Sequence, residues 1–387
     1  MSTDFAKGLA MWCGQGGFHV QPTLDQEGEI IAFVKKCAQH GVTRLFPALI
    51  RRDYFPRYIN FDDEEAYRGP VVTMKDFYSR WDPLKVLVDA AHDEGIEAHI
   101  YMNLNNHGSR WPNWGSPLTN TVFGAPMKVG LAIMGTSKFA SDHREFWKKD
   151  RLGRDSYQIA GNVRLSPTFE QVRAYEVQQI LEFVDECSPD GVQLELTLEP
   201  ADENGVTILG YEEPALQAFE QEYGQSPLEL DNSDPRWIDF RCHYVTTFVR
   251  ELCTALNQLP RPLPLTISVI TAAPSDPGGY RKIFRDWPAW VQEGLIDAVH
   301  LWFREWIDLE TLPQQVKDAV DLMAGRRPLI AELSTYHRGA LKTAESLREG
   351  ARLARAAGAD AVAVYKSDPI EALNLWSVVE EIGCANP

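Results

Sequence analysis

Two glutamates at the end of one predicted strand are the strongest chemical signal in the sequence. The segment DGVQLELTLEP at 190–200 alternates apolar and polar residues with the period of a β-strand. Glu195 and Glu199 therefore share a face with Gln193. Carboxylates are rarely buried without a partner or a function, so this inward-facing pair indicates a catalytic role. Four residues of strand span about 13 Å, which makes Glu195 the first catalytic candidate and Glu199, nearer the loop, the second.

A third glutamate lies near the end of another apolar segment, PLIAELS at 328–334. Side chains from the fourth and seventh strands of an eight-stranded ring can converge over its opening. Carboxylates about 5–5.5 Å apart suit a retaining glycosidase, and a separation of about 6.5–9.5 Å suits an inverting one. We expect a retaining mechanism, with Glu195 as general acid/base and Glu332 as nucleophile or second carboxylate. In the alternative, structural interpretation, these acids pair with inward cations such as Arg304 or Lys366.

Polar and aromatic residues crowd the ends of the other predicted strands. Polar side chains can bind sugar hydroxyls, and flat aromatic faces stack on pyranose rings. A single tryptophan in a barrel is equally well explained as core, but the WPNW and HLWFREW segments together favour sugar binding. The predicted substrate-binding residues are Trp12, Tyr101, Asn103, Asn105, His107, Trp111, Trp114, Gln193, His300, Trp302, Arg304, Tyr365, Lys366 and Asp368.

Short apolar runs alternate with longer amphipathic stretches that end at Gly or Pro, the pattern of alternating strands and helices. Such an alternation implies parallel strands, and eight of them fit a (β/α)8 TIM barrel. A doubly wound open sheet is the alternative, but CGQGG at 13–17 matches its glycine-rich turn only in part. The predicted strands are 8–12, 43–50, 97–106, 190–200, 264–270, 296–303, 328–334 and 360–367.

Long connections follow the second to fifth strands, whereas the opposite connections are short turns such as HGV, EGI and AGA. In TIM barrels the loops after the strands form the active-site face. We therefore expect a substrate groove there, in a single barrel domain over residues 1–387. The predicted insertions span about 51–82, 107–166, 201–236 and 271–286.

The charge balance limits the classes of partner. The 387 residues carry a formal net charge of -17, which repels nucleic acid and anionic lipid surfaces. A neutral or cationic substrate is easier to accommodate, and a polyanionic one would need a local basic patch. The six scattered cysteines, without a CxxC pair, predict free thiols. Since no signal-peptide pattern or 18-residue apolar run occurs, we expect a cytoplasmic location, and a homo-oligomer is possible.

Motifs of other chemistries are missing from the sequence. It contains no HExxH, EF-hand, GxSxG or P-loop pattern, so we expect neither a metal nor a cofactor. A metal site built from His107, His300 and carboxylates is an alternative that the spacing supports only weakly.

Three segments resemble the family-10-like glycosyl hydrolase barrels. The first, 164–200, begins with Ser-Pro and contains the DG-apolar strand. The second, 214–252, contains Phe-x-x-x-Tyr-Gly and an Arg-bearing helix, and the third is 286–303. The resemblance implies a catalytic acid or nucleophile at Glu195, where the family usually has Asp. It also places Trp302 near the aromatic residue that ends the sixth strand. Glu332 has no counterpart in these segments, and its assignment depends on the strand-four and strand-seven arrangement of retaining barrel glycosidases.

The sequence therefore predicts a glycoside hydrolase. One alternative is a sugar isomerase, lyase or aldolase on the same barrel, using Lys366 as a Schiff base or a metal at His107. The other is a carbohydrate-binding barrel without activity, for which Glu195→Gln would leave ligand affinity intact.

Overall fold

Eight parallel strands form a closed barrel in which every strand pairs with its neighbours along the chain, and β8 closes on β1. The (β/α)8 prediction is thus confirmed. The strands are β1 (Leu9–Gly14), β2 (Val42–Ala48), β3 (Glu97–Leu104), β4 (Gly191–Leu196), β5 (Leu265–Ile270), β6 (Ala298–Trp302), β7 (Leu329–Ser334) and β8 (Ala361–Tyr365). The computed structural model describes residues 4–14, 26–48, 81–104, 107, 121–122, 125–126, 137–196, 199–270, 279–303, 307–335 and 340–384.

Eight main helices follow the strands, and residues at their ends determine where they begin and stop. The Asp82 side chain accepts a hydrogen bond from the Lys85 backbone N–H at 3.2 Å ahead of Pro83, and Gly294 ends the fifth helix at φ 72°. The helices are α1 (Glu27–Gln39), α2 (Pro83–Asp93), α3 (Glu170–Cys187), α4 (Pro235–Asn257), α5 (Trp287–Glu293), α6 (Leu312–Met323), α7 (Ala344–Ala356) and α8 (Trp376–Cys384). Further helices within the connections are Lys138–Asp142, Ser156–Ala160, Glu213–Tyr223, Gly279–Lys282 and Ser367–Ala372.

The two faces of the strands have different chemistry. Outward residues such as Val192, Leu194 and Leu196 are buried in one apolar cluster with the helices, and each such side chain contributes roughly 1.5–3 kcal/mol. The inward face combines apolar groups such as Trp12 and Phe46 with polar ones. The buried polar residues inside the ring include His99, Gln193, Thr266, Ser268, His300 and Glu332. The main apolar core therefore lies between strands and helices, and the interior of the barrel holds polar groups beside a smaller apolar cluster.

Two of the predicted insertions pack as compact units above the strand ends. In the described part of the first, Phe146, Trp147 and Leu165 form a small apolar cluster with α3. In the second, 201–236, Phe219 packs in another apolar cluster with Trp237 of α4. All six cysteines lie within the described residues, and none of them forms a disulfide bond, as predicted. In the described ranges, no helix is long and apolar enough to span a bilayer.

Candidate active site

Glu195 and Glu332 both belong to the inward face of the barrel. Glu195 is the fifth residue of β4 and pairs in the ladder with Asn103 on one side and Ser268 on the other. Glu332 is the fourth residue of β7 and pairs with Trp302 on β6. The two carboxylates therefore approach the same interior from opposite parts of the ring.

Ser268 on β5 connects the two glutamates. Its Cα is the ladder partner of Glu195, and adjacent strands lie about 4.8 Å apart. Its hydroxyl donates a hydrogen bond to Oε1 of Glu332. A single serine therefore contacts one carboxylate and neighbours the other, which places both acids at one end of the barrel interior.

Burial gives Glu332 an unusual protonation state. The residue is 1% exposed, and burial raises the pKa of its carboxyl to about 8. The Ser268 hydrogen bond lowers this pKa, and the charge of Glu195 raises it further. Glu332 therefore carries a proton at neutral pH.

Glu195 lies in a different electrostatic environment, although burial also raises the pKa of its carboxyl. Two cations oppose that effect, because the charges of Arg285 and Lys366 both lower the pKa. Arg285 lies within the predicted 271–286 insertion and donates a hydrogen bond to the carbonyl oxygen of Leu196. The two carboxyl groups thus differ in their partners: a hydroxyl for Glu332 and positive charges for Glu195.

His300 forms part of the floor beneath Glu332. Its Nδ1 lies 3.7 Å from Oε1 of Glu332, which is too long for a hydrogen bond. The ring packs edge-on against Trp12 and Phe46, with centroids at 5.1 and 5.0 Å. Burial lowers the pKa of His300 well below its usual value, so the imidazole is neutral. The fully buried ring belongs to the layer below Glu332, since His300 is the ladder partner of Ile330.

Two further predicted site residues have partners inside the protein. Glu199 accepts a hydrogen bond from Nζ of Lys148, and both side chains are buried. Because Glu199 is engaged in this buried ion pair, its prediction as a catalytic residue is corrected. Gln193 is fully buried one inward position below Glu195, where its Oε1 accepts from the hydroxyl of Thr266. It therefore lies below the two carboxyl groups without exposed surface, so its prediction as a substrate-binding residue is corrected.

The aromatic residues divide between the floor and the rim. Trp12 was predicted to bind substrate at the end of the first strand, but it is buried within β1 at 2% exposure and stacks on Phe46 at 4.3 Å between ring centroids. Its prediction as an open sugar platform is therefore corrected. Trp302 and Tyr365 end their strands half-buried, with ring centroids 6.1 Å apart. Tyr101 is also half-buried beside the inner cluster. Trp302 and Tyr365 remain the candidates for stacking on a sugar.

The imidazole ring of His107 contacts other residues of the protein through both of its nitrogens. Its Nε2 lies 2.7 Å from Oε1 of Glu176 on α3, and its Nδ1 lies 3.1 Å from Oγ of Ser137. Both nitrogens of this buried ring are engaged, so the prediction that it binds substrate is corrected. Its contacts hold residues 137–166, the continuous described part of the 107–166 insertion, against α3.

Replacing His107 by alanine tests this correction. We expect His107→Ala to lower the free energy of unfolding by roughly 1–3 kcal/mol, because the buried Glu176 loses its partner. Urea unfolding measures the change, with His243→Ala as the control, since His243 is exposed on α4. Unchanged stability combined with weaker sugar binding would restore the original interpretation.

The remaining predicted site residues lie outside the described residues, or their side chains do. Residues without a described position are Asn105, Trp111, Trp114 and Arg304; residues placed in an element, but with side chains outside the description, are Asn103 and Asp368. Among the side chains that the structure describes, no group of three or more His, Cys, Asp or Glu could hold a metal ion.

Comparison with known proteins places this barrel among glycosidase-like proteins. Residues 79–319 match the family described as glycosyl hydrolase-like 10. The chain belongs to this family. The resemblance inferred from the sequence is thereby confirmed, and the family supports a glycosidase-type function. No curated protein matches the chain.

Solved structures share the fold of this glycosyl hydrolase-like 10 member at low identity. The glycoside hydrolase domain of PgaB (BpsB) from Bordetella bronchiseptica has a TM-score of 0.57 at 10% identity, with 97% of this chain and 99% of that chain covered. The catalytic domain of a β-amylase from Paenibacillus polymyxa has a TM-score of 0.62 at 10% identity, with 97% of each chain covered. A maltogenic α-amylase, AmyB from Thermotoga neapolitana, has a TM-score of 0.51 at 10% identity, with 98% of this chain and 76% of that chain covered.

Sequence reasoning missed three residues that shape the site of this glycosyl hydrolase-like barrel. Ser268 had a detectable signal, since Thr266 and Ser268 place two hydroxyls on the inward face of β5. Arg285 and Lys148 had none, because both belong to irregular segments whose side-chain directions no periodicity predicts.

Proposed function

We propose that the protein hydrolyses a glycosidic bond at the C-terminal end of its barrel, with Glu195 and Glu332 as the two catalytic carboxyl groups. The observation that carries this proposal is the position of both acids inside one ring, on either side of Ser268. A glycosidase needs one carboxyl group that donates a proton and another that is ionised. Unequal environments are the means by which proteins separate these roles.

The electrostatics favour Glu332 as the acid. Its pKa of about 8 keeps it protonated at neutral pH, whereas Glu195 has Arg285 and Lys366 beside it to favour its ionised form. This assignment exchanges the roles that we expected from the sequence. Glu332 gives its proton to the glycosidic oxygen as the bond from that oxygen to the anomeric carbon breaks. The Glu195 carboxylate either attacks that carbon or removes a proton from the attacking water.

The rim supplies groups for orienting a sugar. Trp302 and Tyr365 end β6 and β8, and Trp302 is the ladder partner of Glu332. An aromatic face at this position would hold a pyranose ring above the acid and exclude water from one side.

Assays on aryl glycosides and oligosaccharides test the proposal. We expect turnover of at least one substrate, with the anomeric configuration of the first product, read by NMR, distinguishing retention from inversion. Activity should fall above about pH 8, where Glu332 loses its proton, and at acid pH, where Glu195 gains one. Glycan binding without turnover of any compound would reject the proposal in favour of a carbohydrate-binding barrel.

Ser268→Ala should move the alkaline limb of the pH–rate profile to higher pH. The serine hydrogen bond stabilises the ionised form of Glu332 and lowers its pKa, so its removal raises that pKa. The shift should be about one pH unit, because a net hydrogen bond of about 1.4 kcal/mol corresponds to one unit. Thr266→Val is the matched control, because that hydroxyl contacts Gln193 and touches neither carboxylate. An equal shift in both variants, or in neither, contradicts the assignment of Glu332.

A further inference from the structure

The imidazole ring of His300 is fully buried beside Glu332, but it has no hydrogen-bond partner of its own. In the described part of the chain, neither Nδ1 nor Nε2 has a partner within hydrogen-bond distance. A neutral imidazole carries one N–H donor, and a buried donor that is left unsatisfied destabilises the folded protein. Packing alone therefore does not explain why a histidine lies at this position.

Two neighbouring strands direct polar groups at the same oxygen of Glu332. Ser268 on β5 and His300 on β6 are ladder partners. The hydroxyl of Ser268 donates a hydrogen bond to Oε1 of Glu332, and Nδ1 of His300 lies 3.7 Å from that same atom. Since N–H···O hydrogen bonds have lengths of about 2.7–3.2 Å, a side-chain movement of about 0.5–1 Å would form a second one.

The contact with Ser268 determines what His300 offers to Glu332. Because Oε1 accepts the serine hydrogen bond, the proton of the neutral carboxyl group lies on Oε2. Oε1 therefore presents only lone pairs, and an imidazole nitrogen that faces it must donate. The neutral ring of His300 then carries its hydrogen on Nδ1.

The surroundings of His300 hold the ring in place and keep it neutral. Trp12 and Phe46 pack against it edge-on, with ring centroids at 5.1 and 5.0 Å. The charged and titratable groups that act on the ring from other strands are Arg44 of β2 and His99 of β3, and both lower the pKa of His300 further than burial does alone. The imidazole is therefore a hydrogen-bond donor that carries no charge.

The other neighbours of Glu332 do not supply such a donor. Its ladder partner on β8 is Ala363, which has no polar side chain. Glu195 of β4 acts through its charge, which raises the pKa of Glu332. Among the described residues, the donors that face Oε1 are thus Ser268 and His300.

We propose that His300 is a positioning residue for the acid, and that its Nδ1–H donates to Oε1 of Glu332 as the proton on Oε2 passes to the glycosidic oxygen. The O–H bond of Glu332 breaks, its electron pair stays on the carboxylate, and His300 keeps its own hydrogen throughout. Ser268 and His300 then stabilise the new negative charge together, because hydrogen bonds to ionised groups are stronger than those to neutral ones. The inference rests on the proposed function, since it takes Glu332 to be the acid.

Nitrogen NMR of the full chain with 15N-labelled histidine tests the tautomer without any substrate. Two-bond proton–nitrogen correlations distinguish a protonated Nδ1 from a protonated Nε2, and the signals of His300 are identified by its ring contacts with Trp12 and Phe46. At neutral pH we expect an uncharged ring with its hydrogen on Nδ1. A hydrogen on Nε2 would make Nδ1 an acceptor and would overturn the inference.

Two amide variants separate the roles of the two ring nitrogens. The amide of asparagine lies near the position of Nδ1 and that of glutamine near Nε2, so His300→Asn keeps the donor for Oε1 and His300→Gln removes it. In the glutamine variant we expect the alkaline limb of the pH–rate profile to rise by about one pH unit, the value of one hydrogen bond to a charged group. For substrates with poor leaving groups kcat should fall about tenfold, because the carboxylate that forms is less stable. KM and the turnover of a dinitrophenyl glycoside should change little, and the asparagine variant should resemble the wild type.

His99→Gln is the matched control for these assays. His99 is an equally buried imidazole inside the barrel, but it lies on β3 and packs against Phe5 and Phe46. An equal shift of the alkaline limb in this variant would show that any loss of a buried ring has the same effect, and it would overturn the role of His300. If the variants of His300 fold too poorly for kinetics, the tautomer of the wild-type ring still decides the question.

The outcomes separate this inference from the proposed function. Urea unfolding as a function of pH follows the titration of Glu332 without a substrate. A hydrogen on Nδ1, with a titration that moves to higher pH in His300→Gln but not in His300→Asn, would keep the hydrogen bond even if no glycoside is hydrolysed and the function is rejected. Hydrolysis with the same alkaline limb in the wild type and both variants would keep the function and overturn the role of His300.

Discussion

Glu195→Gln is expected to lower the turnover of a glycosidic substrate about a thousandfold, since a positioned acid or base contributes roughly 10²–10⁴-fold. Glutamine keeps the size of the side chain but carries no charge, so it can neither attack the anomeric carbon nor accept a proton from water. Arg285 and Lys366 would then face a neutral amide. The loss should be similar for substrates with good and poor leaving groups, because both need the ionised carboxylate.

Glu332→Gln should show a different dependence on the substrate. An amide cannot donate the proton that a poor leaving group requires, so natural glycosides should again lose about a thousandfold. A dinitrophenyl glycoside needs little protonation and should retain much of its turnover in this variant. Comparing kcat for both classes of substrate in both variants identifies the acid.

Glu349→Gln on α7 is the control for these assays, because Glu349 pairs with Arg352 on the outer surface. Full activity in both the Glu195 and Glu332 variants would reject the two-carboxylate assignment. Selective loss with poor leaving groups in the Glu195 variant would exchange the two roles again.

The second large effect concerns stability. Glu332→Gln should raise the free energy of unfolding above that of the wild type, and this gain should be larger at pH 8 than at pH 5. The carboxyl pKa is about 8 in the folded state against the usual 4.5. Below pH 4.5 the group is protonated in both states and adds no pH dependence. Between pH 4.5 and 8 only the unfolded state releases the proton, so wild-type stability falls as pH rises. Glutamine does not titrate and escapes this loss.

The gain should reach about 2–4 kcal/mol at pH 8, given that one pKa unit corresponds to about 1.4 kcal/mol. Urea unfolding at pH 5 and pH 8 measures it, and Glu349→Gln should show no gain at either pH. A Glu332 variant whose stability relative to the wild type is the same at both pH values would show that the buried carboxyl titrates normally. The same substitution would then remove activity without increasing stability, contrary to the trade-off expected at a strained catalytic position.

The fold could be predicted because its signals are local. Alternation in 190–200 and 328–334 identified the inward face that carries Glu195 and Glu332, and Pro and Gly residues set helix ends such as those of α5. These signals depend on neighbours within a few residues. They fix which way a strand residue faces.

The depth of each side chain below the rim and its long-range contact partners could not be predicted from these local signals. The partner of Glu332 is Ser268, 64 residues away, and that of Glu199 is Lys148, 51 residues away in an irregular segment. Trp12 and His107 were misjudged for the same reason, because the sequence does not show how far a side chain lies below the rim. Only the closed ring and the packed insertions decide these contacts.

The polar interior of the ring has a consequence for how this protein could change during evolution. Cohesion comes mainly from the leucines and valines that face the helices, while the axis holds imidazole, amide, hydroxyl and carboxyl groups beside a smaller apolar cluster that includes Trp12 and Phe46. Substitutions along the axis therefore alter reactivity without removing the contacts that keep strands and helices together. A lineage could explore new sugars, or lose hydrolysis and keep binding, on an otherwise unaltered framework.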